Sequence, residues 1–224
     1  MHYFNKDFKF FFIELRANNN KEWFHSQKQR YEKNVKKPFE QFVNDLIKNI
    51  QQYDPALEIE AKECILRINR DIRFAKDKSP YNLYCTAFVS NGGRKDKSIP
   101  GLFLRFSPGM IGIMGGCHGP SKEQIARIRA LISKDIKSFR ETIETPLFKD
   151  TFGEIKGDSI KRVPPELKEA AAIEPLILNK QFYFSTERES ELIISEKLMD
   201  ECLFYWKAAK PVNDFLTEAI ISGK

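Results

Sequence analysis

The sequence has little cysteine and little histidine, and this shortage excludes several classes of protein. Its 224 residues include four cysteines and three histidines, and no two cysteines form a C-x-x-C pair. Zinc sites usually take their ligands from such closely spaced pairs, so the sequence predicts no metal site. Dispersed cysteines also argue against a disulfide scaffold and are typical of the reducing cytoplasm.

Long apolar segments are missing as well. The longest candidate, residues 8–15, is interrupted by Lys9 and Glu14, whereas a membrane-spanning helix needs about 20 predominantly apolar residues. The first residues also lack the basic segment and apolar stretch of a signal peptide. We therefore expect a cytoplasmic protein without a membrane partner.

Apolar material is nevertheless sufficient for a core. Hydrophobic residues make up 42% of the chain and include 19 phenylalanines, which argues against a wholly disordered protein. Apolar spacing predicts helices over 5–53, a strand-rich centre over 62–116 and helices again over 121–221. This order is typical of the α+β class. We expect a single domain over 1–224, with a meander-like antiparallel sheet packed by the N- and C-terminal helices.

Alternating apolar residues predict the strands of that sheet. Ser107-Pro108-Gly109 predicts a hairpin turn between the apolar runs 102–106 and 110–114. Residues 65–68 form a short β-rich run, and residues 181–185 could add a further strand.

Capping residues and prolines predict where helices begin. Asn19 with Glu22 resembles a capping box, as does Ser121 with a glutamine three residues later. Pro211 suits the first turn of a separate last helix. Residues 145–180 look irregular apart from one short helix.

Positive charge is concentrated in one part of an otherwise balanced chain. The sequence has 37 Lys and Arg against 31 Asp and Glu, a net charge of +6. Residues 62–105 contain ten basic and four acidic residues and carry the whole excess, since the remainder has 27 of each sign. A localised positive charge points to an anionic partner.

The densest charged motif is RINRDIRFAKDKSPY at 67–81, with five cations and two carboxylates. Arginine forks bind phosphate or carboxylate in a bidentate manner, so one interpretation is an anion pocket. The other is a lattice of arginines and aspartates that pins a loop to the sheet. The sequence leaves both open. The candidate ligand-binding residues here are Arg70, Asp71, Arg73, Asp77, Lys78 and Tyr81.

A glycine-rich segment, GGCHGP at 115–120, precedes a predicted helix. Glycines in this position let backbone N–H groups approach an anion, so Gly115 and Gly116 are candidate donors. A tight strand-to-helix turn explains the same glycines without a ligand. His118 is either an acid/base candidate or an ordinary surface histidine.

Two adjacent cations, Lys161 and Arg162, lie in the loop sequence GDSIKRVPP. We expect either a solvated pair, which is the usual location of charge, or residues that close an anion-binding cleft from its other side.

Four stretches together carry a resemblance to a known family: NNNKEWF, RINRDIRFAKDKSPY, the GG-x-x-G-P turn and IKRVP. The chain resembles a family of conserved bacterial and fungal proteins that is defined only as a domain of unknown function. The resemblance runs from about Phe4 to Leu216 and implies one domain and no particular activity. Ala75 stands where family members often have serine, so no hydroxyl ligand is available there.

The leading hypothesis is an anion-binding cleft for a phosphate or carboxylate ligand. A nucleic-acid-binding module is an alternative, as is an enzyme for phosphorylated metabolites with Asp71, Asp77 or His118 as acid/base. A further alternative is an interaction domain whose charged loop is scaffold. The sequence identifies no cofactor, reaction or oligomeric state.

Overall fold

The computed structural model describes residues 1–221, which form two compact units. Each unit is assembled from three separate stretches of the chain. Unit 1 comprises Met1–Val89, Phe103–Ile113 and Glu187–Leu203, and unit 2 comprises Ser90–Leu102, Met114–Thr186 and, of the described residues, 204–221.

A four-stranded antiparallel sheet lies in the middle of the chain, which confirms the predicted α+β class. The strands follow one another in sequence order, so the sheet is a meander. The hairpin turn between the second and third strands is confirmed, because the N–H of Ser107 donates to the carbonyl of Met110 at 3.0 Å. The strands are β1 (Cys85–Val89), β2 (Leu102–Phe106), β3 (Met110–Cys117) and β4 (Phe182–Glu189).

Five helices precede the sheet, and the third and fourth are joined by a π-helical turn over Glu32–Lys36. The N–H of Lys37 bonds the carbonyl of Glu32, five residues back. Pro38 follows and has no N–H to donate, so one ordinary α-helical hydrogen bond is missing at this point. The wider π-helical turn is located at the same point. The helices are α1 (Asp7–Ala17), α2 (Lys21–Ser26), α3 (Lys28–Tyr31), α4 (Lys37–Gln51) and α5 (Ala61–Cys64).

Phenylalanines dominate the core of unit 1. The predicted apolar stripe of α1 is fully buried. Phe106 of β2 lies at 5.3 to 5.8 Å, between ring centroids, from three aromatic rings of the N-terminal segment and α4. Burial of each such side chain contributes about 1.5–3 kcal/mol, so this cluster anchors the helices to the sheet. The rings in contact with Phe106 are Phe4, Phe39 and Phe42.

Five helices follow β3 in the chain. The capping box at Ser121 is confirmed in both directions, since Ser121 accepts from the Gln124 N–H and the Gln124 side chain accepts from the Ser121 N–H. The helices are α6 (Lys122–Lys134), α7 (Ile136–Ile143), α8 (Pro146–Phe152), α9 (Lys168–Ile173) and α10 (Leu198–Ile221). Short 3-10 turns occupy Pro165–Leu167, Pro175–Leu178 and Ser190–Ile194.

Helix α8 was not expected in a segment interpreted as irregular. Thr145 accepts the N–H of Phe148 as its N-cap, and Phe148 and Phe152 are one helical turn apart. Both rings pack against Phe184 of β4, at 4.9 and 4.7 Å between centroids. Tertiary burial therefore stabilises a helix too short to be recognised from its pattern.

The expectation of a separate helix beginning at Pro211 is wrong. Helix α10 continues through Pro211, which lies inside it. Ala208 and Ala209 before the proline and Val212 after it are all buried. Because the apolar stripe is continuous across the proline, burial outweighs the lost backbone hydrogen bond.

The capping box predicted at Asn19 is displaced by one residue. Asn20 is the N-cap of α2 and accepts the N–H of Trp23 at 2.8 Å. Asn19 instead holds Tyr81, donating to its carbonyl at 2.9 Å and accepting its N–H at 3.1 Å. Each of the three consecutive asparagines is a residue type suited to the N-cap of α2. The pairing of Asn19 with Tyr81, which is distant in sequence, decides which of them is used.

The strand expected over 65–68 is reduced to two isolated bridges, Ile65 to Ala87 and Asn69 to Tyr81. Between these bridges the chain advances by four residues from Ile65 to Asn69 but by six from Tyr81 to Ala87. This mismatch interrupts the hydrogen-bond ladder between the two segments.

Candidate functional site

The basic motif forms a loop in unit 1 that is closed at its base. The N–H of Arg70 donates to the carbonyl of Pro80 at 2.9 Å. The Arg70 guanidinium donates to Asp77 at 2.5 Å and to the carbonyl of Ser79 at 3.1 Å. Asp77 also accepts from the Ser79 N–H and hydroxyl. We call residues 70–80 the basic loop.

A second ion pair and a lysine hold the far side of this loop. Arg73 forms a fork with Asp71, with Nε to Oδ1 at 2.9 Å and Nη2 to Oδ2 at 2.6 Å. The ammonium of Lys78 donates to the carbonyl of Ile72 at 2.9 Å. Both predicted arginines therefore have carboxylate partners within the loop, which is the arrangement of the lattice interpretation.

The two carboxylates of the loop are ionised at neutral pH. The hydrogen bonds from Arg73 lower the pKa of Asp71 to about 2. The pKa of Asp77 is also lowered, chiefly by the hydrogen bonds from Ser79 and then by that from Arg70. General acid/base catalysis at neutral pH requires a carboxyl that gains and loses its proton there. Neither aspartate meets that requirement.

Tyr81 fastens the base of the loop. Its ring stacks on Phe24, with 4.0 Å between centroids and 18° between planes. Its backbone is held by Asn19. An open depression adjoins this aromatic pair, and we call it the Phe24–Tyr81 depression. Its lining residues are Lys21, Glu22, Phe24, His25, Lys28 and Tyr81.

The tip of the basic loop carries an exposed aromatic ring. Phe74 is 96% exposed, which is the largest value among the exposed large hydrophobic residues of 1–221. The guanidinium carbon of Arg73 lies 5.9 Å from the centre of the Phe74 ring. Burial of a phenylalanine side chain is favourable. The exposed ring of Phe74 is therefore a surface whose burial by a partner would be favourable.

Sequence reasoning missed Arg105, which lies on β2 in unit 1. Its Nε is buried and has no hydrogen-bond partner among the described residues. Its guanidinium carbon lies 4.9 Å from the centre of the Tyr84 ring. The available signal was an arginine between Leu104 and Phe106, both of which are fully buried.

Gly112 leaves space beside Arg105. A Cβ built on Gly112 would meet only the Cβ of Arg105, at 3.6 Å, which is ordinary contact. Packing therefore does not require a glycine at this position. The missing side chain leaves space beside the Cβ of Arg105 on this face of β2 and β3.

The glycines predicted as anion donors lie in unit 2, and they are in β3 rather than in a turn. A Cβ on Gly115 would strike the ring of Phe184, and one on Gly116 would strike the carbonyl of Phe182. The N–H of Gly116 donates to Oδ1 of Asn213 at 2.8 Å. Close packing explains both glycines, and the Gly116 donor is already engaged.

The remaining candidates of unit 2 are exposed. Lys161 and Arg162 lie at the surface, as does His118. The His118 ring lies 5.1 Å from that of Tyr183. The structure thus groups six predicted residues in the basic loop and at its base, and it assigns Gly115, Gly116, Lys161 and Arg162 to the other unit.

Residues 1–221 contain neither a metal-binding cluster nor a membrane-spanning helix. Within that range, no three His, Cys, Asp or Glu side chains are grouped so that they could hold a metal ion. None of its helices combines the length and the apolar character that crossing a bilayer requires.

These features define an α+β protein whose basic loop is tied by its own ion pairs. Comparison with protein-family models matches residues 8–215 to the conserved hypothetical proteins of DUF2461. The chain belongs to this family, which confirms the resemblance inferred from its motifs. Neither the curated proteins nor the solved structures contain a match.

Proposed function

We propose that the protein binds a small anion through Arg105 in unit 1. The observation that carries this proposal is the buried Nε of Arg105, a donor without a partner among residues 1–221. A buried donor left unsatisfied costs about 1–3 kcal/mol. Such groups persist where a ligand supplies the missing acceptor, and the arginine fork suits phosphate and carboxylate.

The neighbours of Arg105 support a receptor role. Tyr84 holds the guanidinium from one side. No carboxylate forms an ion pair with Arg105 among the described residues. Its positive charge is therefore available to an incoming anion.

The predicted residues of the basic loop take a supporting role in this proposal. Arg70 and Arg73 are engaged by Asp77 and Asp71, so they shape the loop. Participation of Gly115, Gly116, Lys161 and Arg162 in ligand binding stays a prediction from the sequence.

Isothermal titration with inorganic phosphate, pyrophosphate and citrate tests the proposal. We expect binding of at least one of them by the wild-type protein, and loss of that binding in Arg105→Met, which keeps an unbranched side chain as far as the position of Nε and removes the guanidinium. Arg16→Met is the matched control, because Arg16 is an exposed arginine of α1. Equal affinity of the wild-type protein and Arg105→Met would refute the role of Arg105, as would binding of none of the three anions.

A further inference from the structure

We infer that the basic loop and the Phe24–Tyr81 depression form a surface for single-stranded nucleic acid, with Phe74 as a base-stacking platform. This inference goes beyond the proposed function and does not rest on Arg105. It rests on the exposed ring at the tip, on the charge around it and on the way the loop is held.

The loop that carries the exposed Phe74 ring is held by its own contacts. The Arg70–Asp77 and Arg73–Asp71 pairs and the hydrogen bond from Arg70 to Pro80 tie the loop on both sides of its tip. A partner that covers the ring gains the contact without first ordering the loop, which lowers the entropic cost of binding.

Positive charge surrounds the ring and continues into the depression. Segment 67–81 has five cations against two carboxylates, and both carboxylates are paired within the loop. Arg67 and Lys76 make no ion pair among the described residues, and Lys21 and Lys28 line the depression with one acidic residue, Glu22. This distribution is complementary to a phosphate backbone.

The shape of the tip favours bases over a lipid surface. Phe74 is the one large apolar side chain of the loop that is exposed, whereas insertion into a membrane relies on a broader apolar face. The guanidinium carbon of Arg73 lies over one face of the ring, 5.9 Å from its centre, and the ring is otherwise exposed to solvent. Bases stack on aromatic rings and guanidinium planes with little dependence on sequence. At the base of the loop, the partly exposed ring of Phe24 is stacked on the buried ring of Tyr81.

Fluorescence anisotropy with labelled oligothymidylate and oligouridylate of about 12 nucleotides tests the surface. We expect the Kd to rise about tenfold between about 0.1 M and 0.3 M salt if roughly three phosphates are neutralised. Absence of binding to both probes, or an affinity that does not change with salt, would overturn the inference.

Substitutions at Phe74 separate stacking from other kinds of contact. We expect Phe74→Ser to weaken binding roughly five- to a hundredfold and Phe74→Trp to retain it. Phe74→Leu keeps an apolar side chain without a ring, so it should behave like Phe74→Ser. The matched control is Phe10→Ser, because Phe10 is a half-exposed phenylalanine of α1 in the same unit.

The alternatives give opposite results in the same experiment. If Phe74→Leu binds oligonucleotides as well as the wild-type protein does, the stacking platform is refuted. Stronger retention on phosphatidylserine vesicles than on oligonucleotides, lost in Phe74→Ser, would replace it with a lipid surface. This inference is tested with oligonucleotides and Phe74 substitutions, and the small-anion site with inorganic anions and Arg105→Met, so failure of one is distinguishable from failure of the other.

Discussion

The backbone N–H of Gly116 donates to the side-chain oxygen of Asn213 at 2.8 Å, and both residues are buried. This bond gives a backbone N–H of β3 an acceptor, the side-chain carboxamide oxygen of a residue in α10. Removal of the acceptor would leave a buried N–H without a partner, which costs about 1–3 kcal/mol.

We therefore expect Asn213→Ala to lower the free energy of unfolding by about 1–3 kcal/mol in urea titrations. Asn44→Ala is the matched control, because Asn44 is an exposed helical asparagine of α4. It undergoes the same change of helix propensity without losing a buried hydrogen bond, and its effect should stay within about 0.5 kcal/mol. Equal effects of the two substitutions would contradict the assigned role of Asn213.

Substitution by alanine should affect the stability of the protein differently at two glycines of β3. Gly115→Ala drives a methyl group into the ring of Phe184 and should cost about 1–3 kcal/mol through overpacking. Gly112→Ala meets only ordinary contact with Arg105 and should be neutral or stabilising by up to about 1 kcal/mol, because the unfolded chain loses conformational freedom. Thermal unfolding of the two variants checks the contrast, and the reverse order would show that the glycines are misassigned.

Arg105→Met should stabilise the protein in the absence of ligand. It removes a buried donor without a partner, a gain of about 1–3 kcal/mol that exceeds the roughly 0.5–1 kcal/mol of the lost cation–π contact with Tyr84. We expect a net increase of about 1 kcal/mol, measured by urea unfolding without added anions. A clear loss of stability in Arg105→Met would mean that the arginine serves the fold.

The pKa of Asp71 provides a direct test of the loop geometry. A carboxyl-detected NMR titration should place the midpoint of Asp71 at about 2. Arg73→Gln should return it toward the ordinary value of about 3.9. Because the folded pKa is lowered, the contribution of this pair to stability is fully present above about pH 4 and is lost as the pH falls through about 2. A midpoint near 4 in the wild-type protein would show that the Arg73 fork does not persist in solution.

Local chemistry explains the parts of the fold that the sequence predicted. The turn at Ser107-Pro108-Gly109 and the cap at Ser121 each depend on a few adjacent residues. Pro211 and α8 were misjudged because burial against distant residues decides both. Asn19 shows the same limit, since its partner Tyr81 is far away in sequence.

The candidate site could likewise be predicted only in part from the sequence. The charge of the basic loop is visible in the sequence, but the pairing of Arg70 with Asp77 requires the loop to close. Arg105 could not be singled out, because alternation along β2 does not show which face of a sheet stays uncovered. Phenylalanine is a residue type usually found in cores. The exposure of Phe74 follows from its position at the tip of the closed basic loop, which the sequence does not show.

The division of the chain into non-contiguous stretches has a consequence for biosynthesis. Unit 1 includes Glu187–Leu203 in addition to Met1–Val89 and Phe103–Ile113. A ribosome that has released only the N-terminal helices and β1 has therefore not yet supplied everything that this unit needs. Long-range closure of this kind slows folding relative to a unit built from neighbouring residues. The contacts that Glu187–Leu203 makes in unit 1 can form only after that segment has emerged.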